Sequence, residues 1–300
     1  MKLGVIFILG LLFLSACESA TNLDNYPIIE SSHDRLANKE DILYPIASNE
    51  LVRSNDIVTI DYSNTNHGYI MLKTNMTNHK RLKLRISKDN NEYTYDIPKE
   101  EVYISYPLTF NDGIYNIKVF ENVNDNNYAL IENFDVEVKL DDDKYPYLYP
   151  NVIVDYDIKT KAINKAYELC AEVNTDIERV FKVYKWIIEN IDYDYDKVEE
   201  VSNKYVLPII DEVLEAKKGI CFDYAALMSC MLRVLNIPTK LVTGYVDRGY
   251  HAWVEVYIED IGWINPDIYF ENKDYVLIDP TYDSMPGDKY KGPYEDLYKY

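Results

Sequence analysis

Three residue types that together make sulfur chemistry possible stand at turning points in the last third of the chain. Cys221 closes the run Lys217-Lys218-Gly219-Ile220-Cys221 and opens Phe222-Asp223-Tyr224-Ala225-Ala226-Leu227. His251 heads His251-Ala252-Trp253-Val254-Glu255-Val256-Tyr257, and Asp279 ends the apolar Tyr275-Val276-Leu277-Ile278 just before Pro280. A thiol needs help to attack at neutral pH, and a helix N-terminus and an imidazolium both stabilise its thiolate. Gly219 is expected to turn the backbone sharply and leave the sulfur approachable. The Cys221 amide, at the helix start, is placed to hold an oxyanion. His251 would take the thiol proton and return it to a leaving amine. Asp279, with an apolar strand behind it, needs a partner, and the His251 ring is the one whose tautomer it would fix. Asp267, in Trp263-Ile264-Asn265-Pro266-Asp267, is the rival acid. Asp279 is preferred because a strand positions a side chain better than a loop does. Each residue also has a plainer reading: Cys221 as a buried structural thiol, His251 as a core histidine, Asp279 as a turn cap before Pro280.

These side chains need elements to carry them. Ile158, Ala162, Ile163, Ala166, Tyr167, Leu169, Cys170 and Val173 recur at helical spacing. Thr175 with Glu178 predicts a capping box, opening a helix with Ile177, Val180, Phe181, Tyr184, Ile187, Ile188 and Ile191 inward. A Tyr193-Asp194-Tyr195-Asp196 loop is expected to end it. A short helix from Ile209 to Lys217 would stop at Gly219, and a longer one would run from Cys221 to about Leu235, ahead of Pro238. Strands follow at Thr239–Val246, His251–Ile258 and Tyr275–Asp279. Ala252, Val254 and Val256 would share one face, with His251, Trp253, Glu255 and Tyr257 on the other. Helices first and an antiparallel sheet after is an α+β order.

This stretch resembles the transglutaminase-like superfamily of papain-related folds. The resemblance is carried by Gly219, Cys221, Asp223-Tyr224-Ala225, Gly244-Tyr245, His251-Ala252-Trp253, Glu255-Val256, Gly262-Trp263 and Asp279-Pro280-Thr281, and covers about 160–283. It implies a papain-like domain in which Cys221 is the nucleophile, His251 the base and Asp279 the orienting acid. One departure keeps Asp267 open: the family's aspartate usually follows its Gly-Trp closely, whereas Asn265 to Asp274 intervene here. The family also implies a side-chain oxyanion donor upstream of the cysteine, for which Tyr205 is the candidate.

Upstream the period is two. Leu82, Leu84 and Ile86 alternate with Lys83 and Arg85; Tyr115, Ile117 and Val119 with Asn116 and Lys118; Phe134, Val136, Val138 and Leu140 with Asp135, Glu137 and Lys139. Turn clusters at 63–66, 88–91, 111–113 and 124–127 separate them. About seven such short strands predict an all-β, immunoglobulin-like sandwich over 51–141, a spacer or a binding module, joined by a Pro- and Asp-containing linker at 142–155 to the catalytic domain at 156–300.

The chain opens with Lys2 and an apolar run from Leu3 to Leu14, too short to span a bilayer. Leu14-Ser15-Ala16-Cys17 resembles the bacterial lipobox, which implies a signal peptide of residues 1–16, cleavage before Cys17 and acylation of that residue. The expectation is a lipoprotein on the extracytoplasmic face of a bacterial membrane, standing off on a polar tether at 17–50.

Among the 300 residues, 31 basic against 51 acidic side chains give a net charge of -20, which argues against nucleic acid as a partner. The four cysteines, Cys17, Cys170, Cys221 and Cys230, form no disulfide framework; Cys170 and Cys230 read as small hydrophobes on helix faces, with a bridge between the two as the lesser reading. His33, His67 and His79 lie in polar contexts without metal-ligand spacing, no calcium loop is seen, and no cofactor is implied. The function these features predict is a surface-anchored thiol enzyme acting on amide bonds of a peptide, protein or cell-wall peptide through a Cys221 thioester, as protease, amidase or transamidase. The alternative is a non-catalytic binding or scaffold lipoprotein on a retired enzyme fold.

Overall fold

The computed structural model describes residues 38–76, 80–201, 204, 206–247, 249–259, 261–264 and 293–300. The first half is built from alternation. β1 (Val52–Ser54), β2 (Val58–Asp61), β3 (Tyr69–Thr74) and β6 (Ile104–Pro107) form one antiparallel sheet in the order β1-β2-β3-β6. β4 (Leu82–Lys88), β5 (Asn91–Ile97), β7 (Gly113–Asn124) and β8 (Asn127–Val138) form a second, in the order β5-β4-β7-β8. Leu84 faces Val119 and Ile86 faces Ile117 across β4 and β7, so the apolar residues of each strand share a face. Ile60, Ile70 and Leu72 from the first sheet join Leu84, Ile117 and Val136 from the second in one buried cluster, which makes the half a sandwich. Asp89 (φ 53°) and Asp125 (φ 46°) take the left-handed turn positions of the β4–β5 and β7–β8 hairpins, the conformation that short Asn/Asp-rich turns supply.

The segment 145–156 then enters the interior: Tyr147, Leu148, Tyr149, Val152, Ile153, Val154 and Tyr156 are all buried. The second half is α+β. α1 (Lys161–Leu169) buries Ala162, Ile163 and Ala166, and α2 (Asp176–Asn190) buries Val180, Val183 and Ile187. The Thr175 hydroxyl accepts from the Glu178 amide (3.4 Å) and donates to the Glu178 carboxylate (2.7 Å), a variant of the expected capping box. Arg179, which the apolar pattern does not mark, is also buried, with Asp176 at 2.7 Å. Two expectations are corrected here. The 193–196 stretch is not a plain loop: β9 (Asp192–Tyr193) ends in it and α3 (Tyr195–Val201) begins in it. α4 (Ile210–Ala216) stops at Lys217, left-handed at φ 52°, and not at Gly219, which lies in β10 (Lys218–Gly219) paired parallel to β9.

α5 (Cys221–Arg233) is the central helix, with every residue from Asp223 to Arg233 buried. It packs against α1, α2 and α4 and against a sheet ordered β13-β12-β11-β14. These strands are β11 (Thr239–Val246), β12 (Gly249–Ile258), β13 (Gly262–Ile264) and β14 (Glu295–Lys299). β14 joins the two halves, because the Lys299 amide donates to the Tyr93 hydroxyl of β5 at 2.9 Å. Residues 38–50 also touch the second half: Lys39 Nζ donates to Asn164 Oδ1 at 2.6 Å, and Ile42 and Tyr44 pack on the core. No described helix is long and apolar enough to cross a membrane.

Candidate active site

Cys221 is the first residue of α5, following Ile220 in extended backbone. Its neighbours Asp223 to Leu227 are buried, while Cys221 itself keeps partial exposure. The reason a glycine precedes it differs from the one expected. Gly219 is not left-handed; a Cβ there would lie 2.7 Å from the Asp223 Cβ, so the glycine makes room for that side chain. The Asp223 carboxylate uses the space to accept from the Ile220 amide (2.9 Å) and from Lys197 Nζ (2.7 Å), and so caps the turn that presents the thiol. Behind it, Tyr224 donates to the Ile191 carbonyl at the end of α2, which fixes the helix axis.

His251 lies in β12, opposite Gly244 of β11, and is 5% exposed. Its ring stacks along that of Trp253 with centroids 6.1 Å apart, and Trp253 is closed over by Tyr294 at 4.7 Å. Ala252, Val254, Val256 and Ile258 belong to the buried cluster that contains α5. Glu255, on the His251 face, is held by Lys240 (3.1 Å) and Lys299 (3.2 Å). Gly244 is required because β14 crosses it: a Cβ would overlap the Glu295 carbonyl and lie 2.9 Å from the Trp253 ring.

α5 packs on β12, and two tyrosines mark where the thiol lies relative to the neighbouring strands. Burial pushes the Tyr250 phenol up, the Thr243 hydroxyl works against it, and the charge that Cys221 can carry adds to the rise. Burial and then Cys221 push Tyr193 up to about 12. The sulfur is therefore within electrostatic reach of both Tyr193 in β9 and Tyr250, the residue before His251. Asp279, its rival Asp267, the donor candidate Tyr205 and the lipobox Cys17 lie outside the described residues. Cys170 and Cys230 are buried free thiols, as small hydrophobes would be. Among the described residues no group of three or more His, Cys, Asp or Glu is placed to hold a metal ion.

Sequence reasoning missed Lys197, Tyr193 and Tyr250. The Lys197–Asp223 pair spans two elements and has no local spacing signal, and tyrosines are too frequent in this chain, at 30, for any one to stand out.

Comparison with known proteins places this half of the chain. Residues 163–268 match the transglutaminase-like superfamily. A stretch of 105 residues is 30% identical to the kyphoscoliosis peptidase of Mus musculus, covering 31% of this chain and 15% of that protein's length. Among solved structures, a candidate cysteine protease from Cytophaga hutchinsonii aligns over 83% of both chains at 16% identity and a TM-score of 0.39. The periplasmic domain of TgpA from Pseudomonas aeruginosa aligns over 78% of this chain and 73% of its own at 14% identity, with a TM-score of 0.34. The matched stretch, 163–268, falls in the α+β half, and the chain spans well under two thirds of the length of the curated relatives it matches.

Proposed function

We propose that this protein is a thiol enzyme that opens amide bonds through a Cys221 thioester. The observation that supports it most directly is the placement of Cys221 as the first, partly exposed residue of a buried helix packed on the strand that carries His251. In this reading the thiolate adds to the amide carbonyl carbon, and the oxyanion is met by first-turn amides of α5. The C–N bond breaks, His251 protonates the leaving amine, and a thioester remains. Water or a second amine then attacks that carbonyl, His251 takes the proton, and the C–S bond breaks to return the thiolate. Asp279 is the acid assigned to orient His251. The substrate class is a peptide, protein or cell-wall peptide, met at the extracytoplasmic face of a membrane to which acylated Cys17 ties the chain.

The test is intact-mass trapping. Incubation with an activated peptide ester should add one acyl group to Cys221 and none to the Cys221→Ala protein. A glutaminyl peptide offered with a labelled primary amine then separates the outcomes: labelled peptide means transamidation, hydrolysed peptide alone means a hydrolase. Absence of any acyl adduct in the wild-type protein rejects the reading.

A further inference from the structure

We propose that Lys197 is a positioning residue for the Cys221 thiolate: its ammonium neutralises the buried Asp223 carboxylate, so that the positive end of α5 is left to the sulfur. This rests on the reading of Cys221 as the nucleophile. Asp223 is 2% exposed and sits two residues from the thiol, on the same first turn. Both of its oxygens meet Lys197 Nζ, at 2.7 and 2.8 Å, and one also takes the Ile220 amide at 2.9 Å. A carboxylate here competes with a thiolate for the same helix terminus and repels it. Paired with an ammonium, it keeps its capping role without presenting a net negative charge.

Lys197 is held in place for this. Its amide donates to Asp194 Oδ1 (3.1 Å), and the Asp194 amide donates to the Gly219 carbonyl (2.9 Å), so α3 is pinned to the strand that leads into Cys221. Among the described residues, the other ionisable groups around this turn include Tyr193 in β9 and Asp194 after it, Lys218 in β10, and Tyr250 in β12, which His251 follows in the chain. Neither tyrosine carries charge at neutral pH, and Lys218 points from an exposed position. Among the described residues, the Lys197–Asp223 pair, its carboxylate buried and its ammonium partly exposed, is the ion pair made by the Cys221 turn itself.

The experiment is iodoacetamide labelling of Cys221 in the whole protein as a function of pH, read by peptide mass spectrometry. Lys197→Met should slow labelling at neutral pH about tenfold and move the profile to higher pH. Lys197→Arg should restore it to within about twofold, because the positive charge returns. In Lys197→Met with Asp223→Asn neither charge remains and Asn still caps the helix, so labelling should recover. Asp223→Asn alone should label at least as fast as wild type, which keeps the inference testable if Lys197→Met does not fold. A wild-type profile in Lys197→Met, a double variant as slow as Lys197→Met, or slower labelling of Asp223→Asn overturns the inference. So does a wild-type Cys221 that labels no faster than it does in urea. Thermal melting run alongside identifies a purely structural role, in which melting falls and the pH profile stays put. Labelling needs a thiolate but no turnover, so failure to form an acyl-enzyme would reject the function and leave this result standing.

Discussion

The Arg233 guanidinium, on the last turn of the helix that begins at Cys221, donates across 2.8 Å to the carbonyl of Tyr149, in the segment that joins the two halves. It also donates to the Thr239 carbonyl at 2.9 and 2.8 Å and to the Tyr300 main-chain oxygen at 2.6 Å. One buried side chain thereby gathers the segment between the two halves, the start of β11 and the residue after β14 at the foot of α5. Burial presses its guanidinium down to about 10, still charged at neutral pH.

Replacing Arg233 by Met takes a donor from three carbonyl oxygens, of which that of Tyr300 keeps the Leu241 amide at 3.0 Å, and each loss costs on the order of 1 kcal/mol. The expected loss is about 3 kcal/mol, read as a lower urea midpoint with an unchanged slope. Lys at this position should rescue little, since an ammonium on a flexible stem cannot span the carbonyls that a planar fork reaches.

The two halves should unfold together. The Tyr93 hydroxyl of β5 accepts the Lys299 amide, and its ring packs on Tyr298 and Tyr300 with centroids 5.0 and 5.6 Å apart. The three tryptophans, Trp186, Trp253 and Trp263, all lie in the α+β half, so their fluorescence reports on it alone. Tyr93→Phe, a change in the sandwich, should lower the fluorescence midpoint by the equivalent of about 1 kcal/mol. It should lower the circular dichroism midpoint equally. Two separated transitions in the wild-type protein would contradict this coupling.

How far these features can be read without coordinates depends on whether their signal is local. The hairpins of the sandwich are legible because Leu82-Lys83-Leu84-Arg85-Ile86 alternates ahead of Asp89 and Tyr115-Asn116-Ile117-Lys118-Val119 alternates ahead of Asp125. The start of α5 is legible because Gly219 and Cys221 precede a long apolar run and Pro238 lies past its end. The stop of α4 is not, because Lys217 adopts a left-handed conformation that lysine rarely favours. β14 is hidden as well: Glu295-Asp296-Leu297-Tyr298-Lys299 is a polar edge strand whose identity comes from pairing with distant β11. Arg233 and Lys197 read as surface charges by composition, and only the tertiary structure gives them buried partners.

Gly244 faces His251 in the β11–β12 ladder while the β14 backbone crosses over it. A side chain at 244 must displace either the Glu295 backbone or the Trp253 ring. Gly244→Val should cost about 2 kcal/mol or more through overpacking, and Gly244→Ala somewhat less. Because Trp253 stacks along His251, the Gly244→Ala protein should also show shifted tryptophan emission while still folded. Unchanged emission and stability would mean that β14 does not lie across this glycine.

Alkaline pH should destabilise the protein, and the sign follows from its buried acids. Burial pushes the Cys170 thiol up to about 11 and Cys230, Tyr106 and Tyr156 above their usual ranges. In the unfolded chain these thiols and phenols lose their protons near about 8.5 and 10. The folded state holds them more tightly, so this contribution is complete below the unfolded values and is lost as pH climbs toward the folded ones. The urea midpoint should stay level near neutrality and fall steadily above about pH 9. Tyr106 isolates the effect, since its hydroxyl is buried and finds no hydrogen-bond partner among the described residues. Tyr106→Phe should therefore cost little at neutral pH, and it should flatten the alkaline decline. A decline of undiminished steepness in that variant would show that Tyr106 ionises as freely in the folded protein as in the unfolded chain.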